Sequence, residues 1–346
     1  MFDPFEQLDL NSDACAPPHL NQRIDGKYLI QKLIGSGSSS RVYSAKVYPG
    51  DALVAVKILR ENCSTRIGER KLALEGSVLI EVSKHKNFVS VYDFGKSEAG
   101  EPYLVTELIK AISLKELFKD YKYLSVDKAL EIGFELLDAL EQLHAHGIFH
   151  TSFKPSDILL IDYFNKQLPE VKLVDLDSIF HPEEPELYNS ELPSEGASYA
   201  YLSPEQGMES GVDIRSDIYV FAIVLYEMVC GRLPFKGSTA VEMLNNKMAS
   251  NIVPFSESEF SSSLSGQANL EALLRKCLQA DKNRRVQSLA ELKEELMAAR
   301  KRTATTMEHE VDIKNWEKLP RSAYADKEKE KEADNWVSKV KKFMGG

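Results

Sequence analysis

The hydrophobic pattern of this chain changes close to Ser113, from short strand-like runs to long helical ones, and this change restricts the fold strongly. Before Ser113, short β-rich runs alternate with turn residues, which predicts an antiparallel sheet of strands 28–34, 41–47, 52–59, 88–92 and 102–108. One helix is predicted among these strands, from about Gly68 to Ser83. After Ser113 the chain is mainly helical, and Ser125 to Ala145 carries apolar residues at helical spacing. The predicted fold class is therefore α+β, with a small sheet lobe before a larger helical lobe.

Charge and cysteine content exclude several classes of protein. The net charge of −10 argues against a broad phosphate-binding surface, so nucleic acid is not predicted as a partner. The acidic N-terminus lacks the apolar core of a signal peptide, and the longest apolar run, Ile218 to Val229, is too short to span a bilayer. The cysteines are far apart, which predicts reduced thiols in a cytoplasmic protein: Cys15, Cys63, Cys230 and Cys277.

The two ends of the chain differ in composition from its centre. Residues 1–26 show little periodicity and are predicted to be an irregular leader, followed by one domain over residues 27–299. Residues 300–346 form a charged tail, which ends in a predicted amphipathic helix with Trp336, Val340, Phe343 and Met344 on one face. This helix either packs on its own domain, docks a protein partner, or contacts an anionic membrane surface.

Two motifs in the sheet region suggest phosphate binding. Gly35-x-Gly37-x-x-Ser40 lies between two strands, where it is either a tight hairpin or a loop whose backbone N–H groups approach phosphate oxygens. It does not join a strand to a helix, as a dinucleotide-binding motif does. Lys57 lies in an apolar strand and needs a partner or ligand unless it sits at an exposed edge. Glu75 on the following helix and nucleotide phosphates are the two candidates.

The stretch from His150 to Leu160 resembles the catalytic loop of protein kinases, His-Arg-Asp-Leu-Lys-Pro-x-Asn-Ile-Leu-Leu. Between Tyr28 and Ala298 the chain carries further similar motifs in the family's order, and it resembles bacterial Ser/Thr kinases most. These motifs are the Gly35 loop, Lys57, Glu75, 85–89, 103–109, 173–177, 203–205, 216–219 and Arg285. The resemblance implies a two-lobed kinase fold, with a β-rich N-lobe over about 27–107 and a helical C-lobe over about 108–299. It also implies that Arg285 is the buried partner of Glu205.

The resemblance further implies an ATP site. The family's adenine pocket falls on Val42 and Ala55 above and Leu159 below, with Thr106 as gatekeeper and backbone groups of Glu107 and Ile109 at the hinge. The phosphates would meet the loop of Gly35 and Gly37 together with Lys57, which Glu75 would orient. Mg²⁺ would be held by Asp157 and Asp175, and Lys154 would contact the γ-phosphate.

Several positions depart from the family's pattern. Ser152 stands where the family has the Asp that accepts the substrate's proton, and a hydroxyl is too weak a base near neutral pH. Loss of a general base typically slows transfer by about 10²–10⁴. Thr151 replaces the Arg that docks an activating phosphate, and Asp177 replaces the glycine of Asp-Phe-Gly. Ser40 replaces the third loop glycine, whereas Ser198 keeps a hydroxyl that the family uses.

Three functions remain open from the sequence. The first is a pseudokinase, which binds ATP and Mg²⁺ and signals by its shape and its protein partners. The second is an active Ser/Thr kinase in which Asp157 or Asp177 replaces the missing base. The third is a docking module with an empty pocket.

The activation segment is acidic and would repel an added phosphate, since it carries Glu183, Glu184, Glu186, Glu191 and Glu195.

Overall fold

A computed structural model describes residues 18–164, 169–188, 197–208, 211–259, 264 and 267–306. Most of the predicted leader and tail, with Glu191 and Glu195, therefore lies outside the described residues. The chain divides into two compact units. One contains the residues up to Glu69 together with Val91–Lys110, and the other contains Arg70–Ser90 and the chain from Ala111 on.

The first unit is a six-stranded antiparallel sheet in the order β1-β2-β3-β4-β6-β5. One face of the sheet packs into a hydrophobic core, and one strand is in addition buried from Val54 to Leu59. Ile30, Tyr43, Val56 and Val105 are completely buried in its core. The strands are β1 (Arg23–Ile24), β2 (Tyr28–Ser36), β3 (Ser40–Val47), β4 (Leu53–Leu59), β5 (Val91–Lys96) and β6 (Pro102–Glu107).

The second unit is mainly helical and is built around one apolar helix, α5 (Ile214–Cys230). Nearly every residue of α5 is buried, which explains why its sequence is apolar on all sides. A small sheet contains β7 (Ile112–Ser113), β8 (Ile158–Ile161) and β9 (Glu170–Leu173). The other helices are α1 (Arg66–Val82, in this unit from Arg70 on), α2 (Leu114–Asp120), α3 (Val126–Ala145), α4 (Pro204–Gly207), α6 (Ala240–Met248), α7 (Ala268–Cys277) and α8 (Leu289–Thr306).

The α+β prediction and the order of lobes are confirmed. The predicted strand over residues 88–92 overlaps β5 only at Val91 and Tyr92, and its first part is wrong, because Phe88 and Val89 are buried in the helical unit. There the carbonyl of Asn87 accepts the Leu173 N–H at 2.8 Å, so the segment packs beside β9 instead of pairing in the larger sheet. The leader is less irregular than expected, since β1 lies within it and pairs with β2.

Glu205 and Arg285 form the buried pair that the resemblance implies. The guanidinium donates to both carboxylate oxygens, at 2.8 and 2.7 Å, and the Arg285 side chain is completely buried. Within the described part of the chain, no helix is long and apolar enough to cross a membrane. The cytoplasmic location stays a prediction.

Candidate active site

The catalytic loop is held by the carboxylate of Asp217, which is completely buried near the start of α5. Its Oδ2 accepts the His150 N–H at 3.0 Å, and its Oδ1 accepts the Thr151 N–H at 2.6 Å. The Nε2 of His144 lies 2.7 Å from Oδ2. These contacts fix Thr151 at a φ of 68°, a left-handed conformation that costs free energy in a β-branched residue. Asp217 therefore sets the shape of the loop.

His150 and Thr151 are buried in the loop and are not presented to solvent. The ring of His150 packs edge-on against Phe153 at 5.3 Å, and neither ring nitrogen has a hydrogen-bond partner. Burial lowers the pKa of His150, so the imidazole is neutral and acts as a packing group. The hydroxyl of Thr151 donates to the Ser178 carbonyl at 3.0 Å, so this side chain is engaged as well.

Lys154 and Asp157 form an ion pair inside the loop. The Nζ of Lys154 lies 3.0 Å from Oδ2 of Asp157, which also accepts the Lys154 backbone N–H at 3.2 Å. Ser156 donates to the other oxygen, Oδ1, at 2.8 Å. Ser152 lies near the start of the same loop, where its N–H donates to the His150 carbonyl at 2.9 Å. The structure thus brings both predicted catalytic residues and one predicted metal ligand into the same loop.

Asp157 and Asp175 influence each other electrostatically. Burial and then the charge of Asp175 raise the pKa of Asp157, Lys154 opposes both effects, and the net pKa is about 7. The backbone N–H of Val174, next to Asp175, donates to the Asp157 carbonyl at 2.8 Å, which keeps the two segments adjacent. Asp175 has a φ of 68°, again an unusual conformation for a residue other than glycine.

This pair of carboxylates fits a hard divalent cation, which would relieve their mutual repulsion. Among the described residues, no group of three or more His, Cys, Asp or Glu side chains is placed to hold a metal ion. Asp157 and Asp175 would therefore supply only part of a Mg²⁺ coordination sphere, and nucleotide phosphates and water would complete it. This division of ligands is usual where Mg²⁺ binds together with a nucleotide.

Five of the residues predicted to hold the nucleotide in the sheet unit share one face of the sheet: Gly35, Val42, Ala55, Lys57 and Thr106. Val42 lies opposite both Gly35 and Lys57, and Ala55 lies opposite Thr106. Positions opposite each other, and positions two apart on one strand, point to the same side. Lys57 and Ala55 are both buried. Glu107, opposite Val54, is the last residue of β6, and the half-buried Ile109 follows it outside the strand.

The glycine-rich loop is held by a residue that the sequence interpretation missed. The Nε of Arg60 donates to the Gly37 carbonyl at 2.8 Å, and its terminal nitrogen donates to the Ser36 hydroxyl at 2.9 Å. The Gly37 N–H donates to the Ser40 carbonyl at 2.9 Å, which closes the turn. Ser40 is buried and fills the position of the third glycine. An arginine directly after a lysine-bearing strand was the available signal.

Two predicted residues of the nucleotide site belong to the helical unit. Leu159 lies in β8 opposite Ser113 and Lys172, and it is half-buried. Glu75 of α1 is buried, and its Oε1 accepts the Leu176 N–H at 3.3 Å. Because Lys57 belongs to the other unit, the Lys57–Glu75 pair stays a prediction.

Comparison with known proteins decides the family. The model of the protein kinase domain matches residues 28–297. The chain belongs to the protein kinase family. It is 34% identical over 226 residues to a probable serine/threonine-protein kinase PknB of Lactococcus lactis, covering 62% of this chain and 33% of that protein. It is 33% identical over 232 residues to serine/threonine-protein kinase PrkC of Bacillus subtilis, covering 65% and 33%.

A third relative of this kinase-family chain is serine/threonine-protein kinase PknB of Mycobacterium tuberculosis, which is 28% identical over 288 residues. That match covers 81% of this chain and 43% of the relative. The matched regions therefore span only a third to less than half of the length of these relatives. The likeness concerns the kinase domain, and the activities of the whole relatives do not transfer directly.

This kinase-family chain has a second feature that sequence reasoning missed, a clamp on the turn Ala197–Tyr201. The buried Nζ of Lys247 donates to the carbonyls of Tyr199, Ala200 and Leu202, at 2.9, 2.8 and 2.6 Å. The Tyr201 hydroxyl donates to Glu227 at 2.7 Å. A lysine on the apolar side of α6, four residues after Met243, was the signal for this clamp. Ser198 lies in the turn, but its side chain is outside the described residues.

Proposed function

We propose that this kinase-family chain binds ATP with Mg²⁺ and signals mainly by its shape, as a catalytically impaired pseudokinase. The observation that carries the proposal is which residues stand at the catalytic positions of the loop. Ser152 stands at the position of the proton acceptor, and the carboxylate of Asp157 is already paired with Lys154 at 3.0 Å.

Nucleotide binding is supported by the residues retained in both units. In the sheet unit, the face that carries Val42, Ala55 and Thr106 would hold the adenine, and Lys57 would hold the phosphates. In the helical unit, Asp157 and Asp175 would hold Mg²⁺, which supplies the charge that neutralises the phosphates. The arginine that supports the glycine-rich loop adds order to that loop in the absence of ligand.

Impaired transfer is supported by the chemistry of Ser152. A serine hydroxyl does not accept a proton near pH 7, so an incoming hydroxyl would have no base at the family's position. The expected loss of about 10²–10⁴ in rate leaves room for slow turnover, because positioning and electrostatics provide much of the catalysis in phosphoryl transfer.

An active kinase is the second candidate, and a specific observation favours it. Asp157 is a carboxylate in the catalytic loop whose pKa is raised to about 7 by burial and by Asp175. A base with a pKa near the working pH is suited to accept a proton. In this alternative Asp157 would replace the missing base, and Asp157→Ala would abolish transfer without abolishing nucleotide binding.

One paired assay separates the candidates. Binding of ATP to the purified chain is measured with and without Mg²⁺, and transfer of labelled phosphate to a general protein substrate and to the chain itself is then measured. Lys57→Ala is the control for both. Binding without transfer supports the pseudokinase, transfer that Lys57→Ala removes supports the active kinase, and absence of binding contradicts both.

We also propose that signalling involves a protein partner that recognises the tail. The proposal rests on composition, because the charged stretch 326–332 lies between Trp316 and Trp336, the two tryptophans of the chain. Deletion of residues after 306 in the full chain should remove partner binding and leave nucleotide binding intact. Loss of both would place the tail in the fold of the kinase domain.

A further inference from the structure

The loop that follows Asp175 is tied to helix α1 at both of its ends. At its start, the Leu176 N–H donates to Oε1 of the buried Glu75 at 3.3 Å. Further along, the guanidinium of Arg70 donates to Glu184 and, at 2.7 Å, to Oε1 of Glu186. Arg70 and Glu75 lie on the same helix, so both ends of the loop contact α1.

The acidic end of this loop has a defined local structure. Glu184 and Glu186 flank the start of a 3₁₀ turn, Pro185–Leu187, whose Leu187 is buried. The turn presents the two carboxylates to one guanidinium, which gives Arg70 two anionic partners. The backbone N–H of Glu186 and then Arg70 lower the pKa of the Glu186 carboxyl, so it is ionised at neutral pH.

The middle of the loop is joined to the catalytic loop. Phe149 and Phe180 exchange two backbone hydrogen bonds, at 3.1 and 2.8 Å, and their rings stack at 5.8 Å. The buried Thr151 hydroxyl donates to the Ser178 carbonyl at 3.0 Å. The loop from Leu176 to Glu186 is thus fixed at three places, by Glu75, by the catalytic loop and by Arg70.

We infer that Arg70 is a positioning residue for Asp175. By pairing with Glu184 and Glu186, it holds the loop against α1 and keeps Leu176 on Glu75, which sets the backbone next to the candidate metal ligand. The negative charge that this arrangement needs is encoded in the sequence, so ordering of the loop requires no added phosphate. The effect on Asp175 rests on the proposed Mg²⁺–ATP function, whereas the effect on the loop does not.

The three charged side chains are partly exposed, with 44%, 36% and 59% of their surfaces accessible for Arg70, Glu184 and Glu186. Exposed ion pairs contribute little to global stability. We therefore expect the fold to tolerate loss of these ion pairs, while the loop from Leu176 to Glu186 opens more often. Regions with few buried contacts open locally without global unfolding, and amide hydrogen exchange detects such opening.

The test uses the charge-reversed variant Arg70→Glu and the triple variant Arg70→Glu, Glu184→Arg, Glu186→Arg, which restores the pair with its charges exchanged. Arg66→Ala is the matched control, since Arg66 is an exposed arginine one turn earlier on α1 that has no ion pair with a described residue. Hydrogen exchange of residues 176–188 is measured without nucleotide. Mg²⁺–ATP affinity is measured by titration calorimetry.

Arg70→Glu should speed exchange across 176–188 and weaken Mg²⁺–ATP binding by about threefold to tenfold, as expected for two partly exposed ion pairs. The triple variant should restore both, and Arg66→Ala should change neither. Unchanged exchange in Arg70→Glu, or a triple variant that stays as mobile as Arg70→Glu, overturns the inference. Failure of the wild-type chain to bind ATP contradicts only the proposed function, because the exchange measurement still tests the loop.

Discussion

The Nζ of Lys154 donates a hydrogen bond to the carboxylate of Asp157 at 3.0 Å, and this contact affects the charge environment of both residues. In the family that the chain belongs to, the position of Asp157 is an asparagine, which carries no charge. Here Lys154 sits among carboxylates: burial lowers its pKa, but the charges of Asp157, Asp175 and Asp177 together raise it above its ordinary value. The ammonium group of Lys154, which the resemblance places at the γ-phosphate, is therefore paired with a carboxylate of its own loop.

Replacement of Asp157 by asparagine should make nucleotide binding less dependent on Mg²⁺. The amide removes a negative charge next to the phosphates and weakens the hold on Lys154, so ATP should bind more tightly without metal, by about threefold to tenfold. Titration calorimetry with ATP in EDTA and in Mg²⁺ measures the change. Asp120→Asn, at an exposed position of α2, is the control. Equal affinities of wild type and Asp157→Asn without metal would contradict this account.

Replacement of Ser152 by aspartate should restore a base at the position where the family has one. If the missing carboxylate limits transfer, Ser152→Asp should raise the rate of labelled-phosphate incorporation by about 10²–10⁴. Ser152→Ala should leave the rate as it is, because the serine hydroxyl contributes no base. A Ser152→Asp variant that binds Mg²⁺–ATP but transfers no faster than the wild type would show that another change, such as Asp177, limits the reaction.

The sequence predicted the fold well where local pattern and tertiary structure agree. The strands that carry Lys57 and Thr106, the helix that carries Glu75, and the buried Arg285 all lie as expected. Prediction from the sequence failed where a contact with a distant part of the chain determines the local structure. The apolar stretch Phe88–Val89 has the composition of a strand, but the Phe88 carbonyl accepts the Lys172 Nζ and the preceding Asn87 carbonyl accepts the Leu173 N–H, both in the helical unit.

Long-range polar contacts of the site were also beyond prediction from the sequence. Arg70 and Glu184 are 114 residues apart, and Thr151 and Asp217 are 66 apart, so no local spacing relates them. The chain does mark such residues weakly, because a charged side chain such as Asp217 or Lys247 in an otherwise buried helix position needs a partner. Which partner it finds depends on the complete fold.

Removal of one partner of the Glu205–Arg285 pair should destabilise the fold more than replacement of both partners. Glu205→Ala would leave a completely buried guanidinium without its carboxylate and should lower the free energy of unfolding by about 3–5 kcal/mol. Ser216, which donates to Glu205 at 2.6 Å, would lose its acceptor too. Urea denaturation of the single variants and of Glu205→Ala with Arg285→Met measures the coupling. A double variant as unstable as the sum of the singles would contradict a direct pairing.

Glu227 should make stability depend on pH. Its side chain is largely buried at the end of α5, and burial raises the pKa of the carboxyl from 4.5 to about 7 although Tyr201 donates to it. Between these two values the folded state binds more protons than the unfolded state. The free energy of unfolding therefore falls as pH rises from about 4.5 to 7.

A glutamine at position 227 still accepts the Tyr201 hydroxyl but does not ionise. The difference in free energy of unfolding between Glu227→Gln and the wild type should therefore favour the variant more at pH 8 than at pH 5. The change between the two pH values should be about 1–3 kcal/mol, after allowance for partial access of the side chain to water. Urea denaturation of both proteins at the two pH values gives the difference directly, and other titrating groups cancel in it. Glu257→Gln, which removes an exposed carboxylate, should show no such difference between the two pH values. If Glu227→Gln shifts stability equally at pH 5 and pH 8, the carboxyl is ionised at both and burial does not control it.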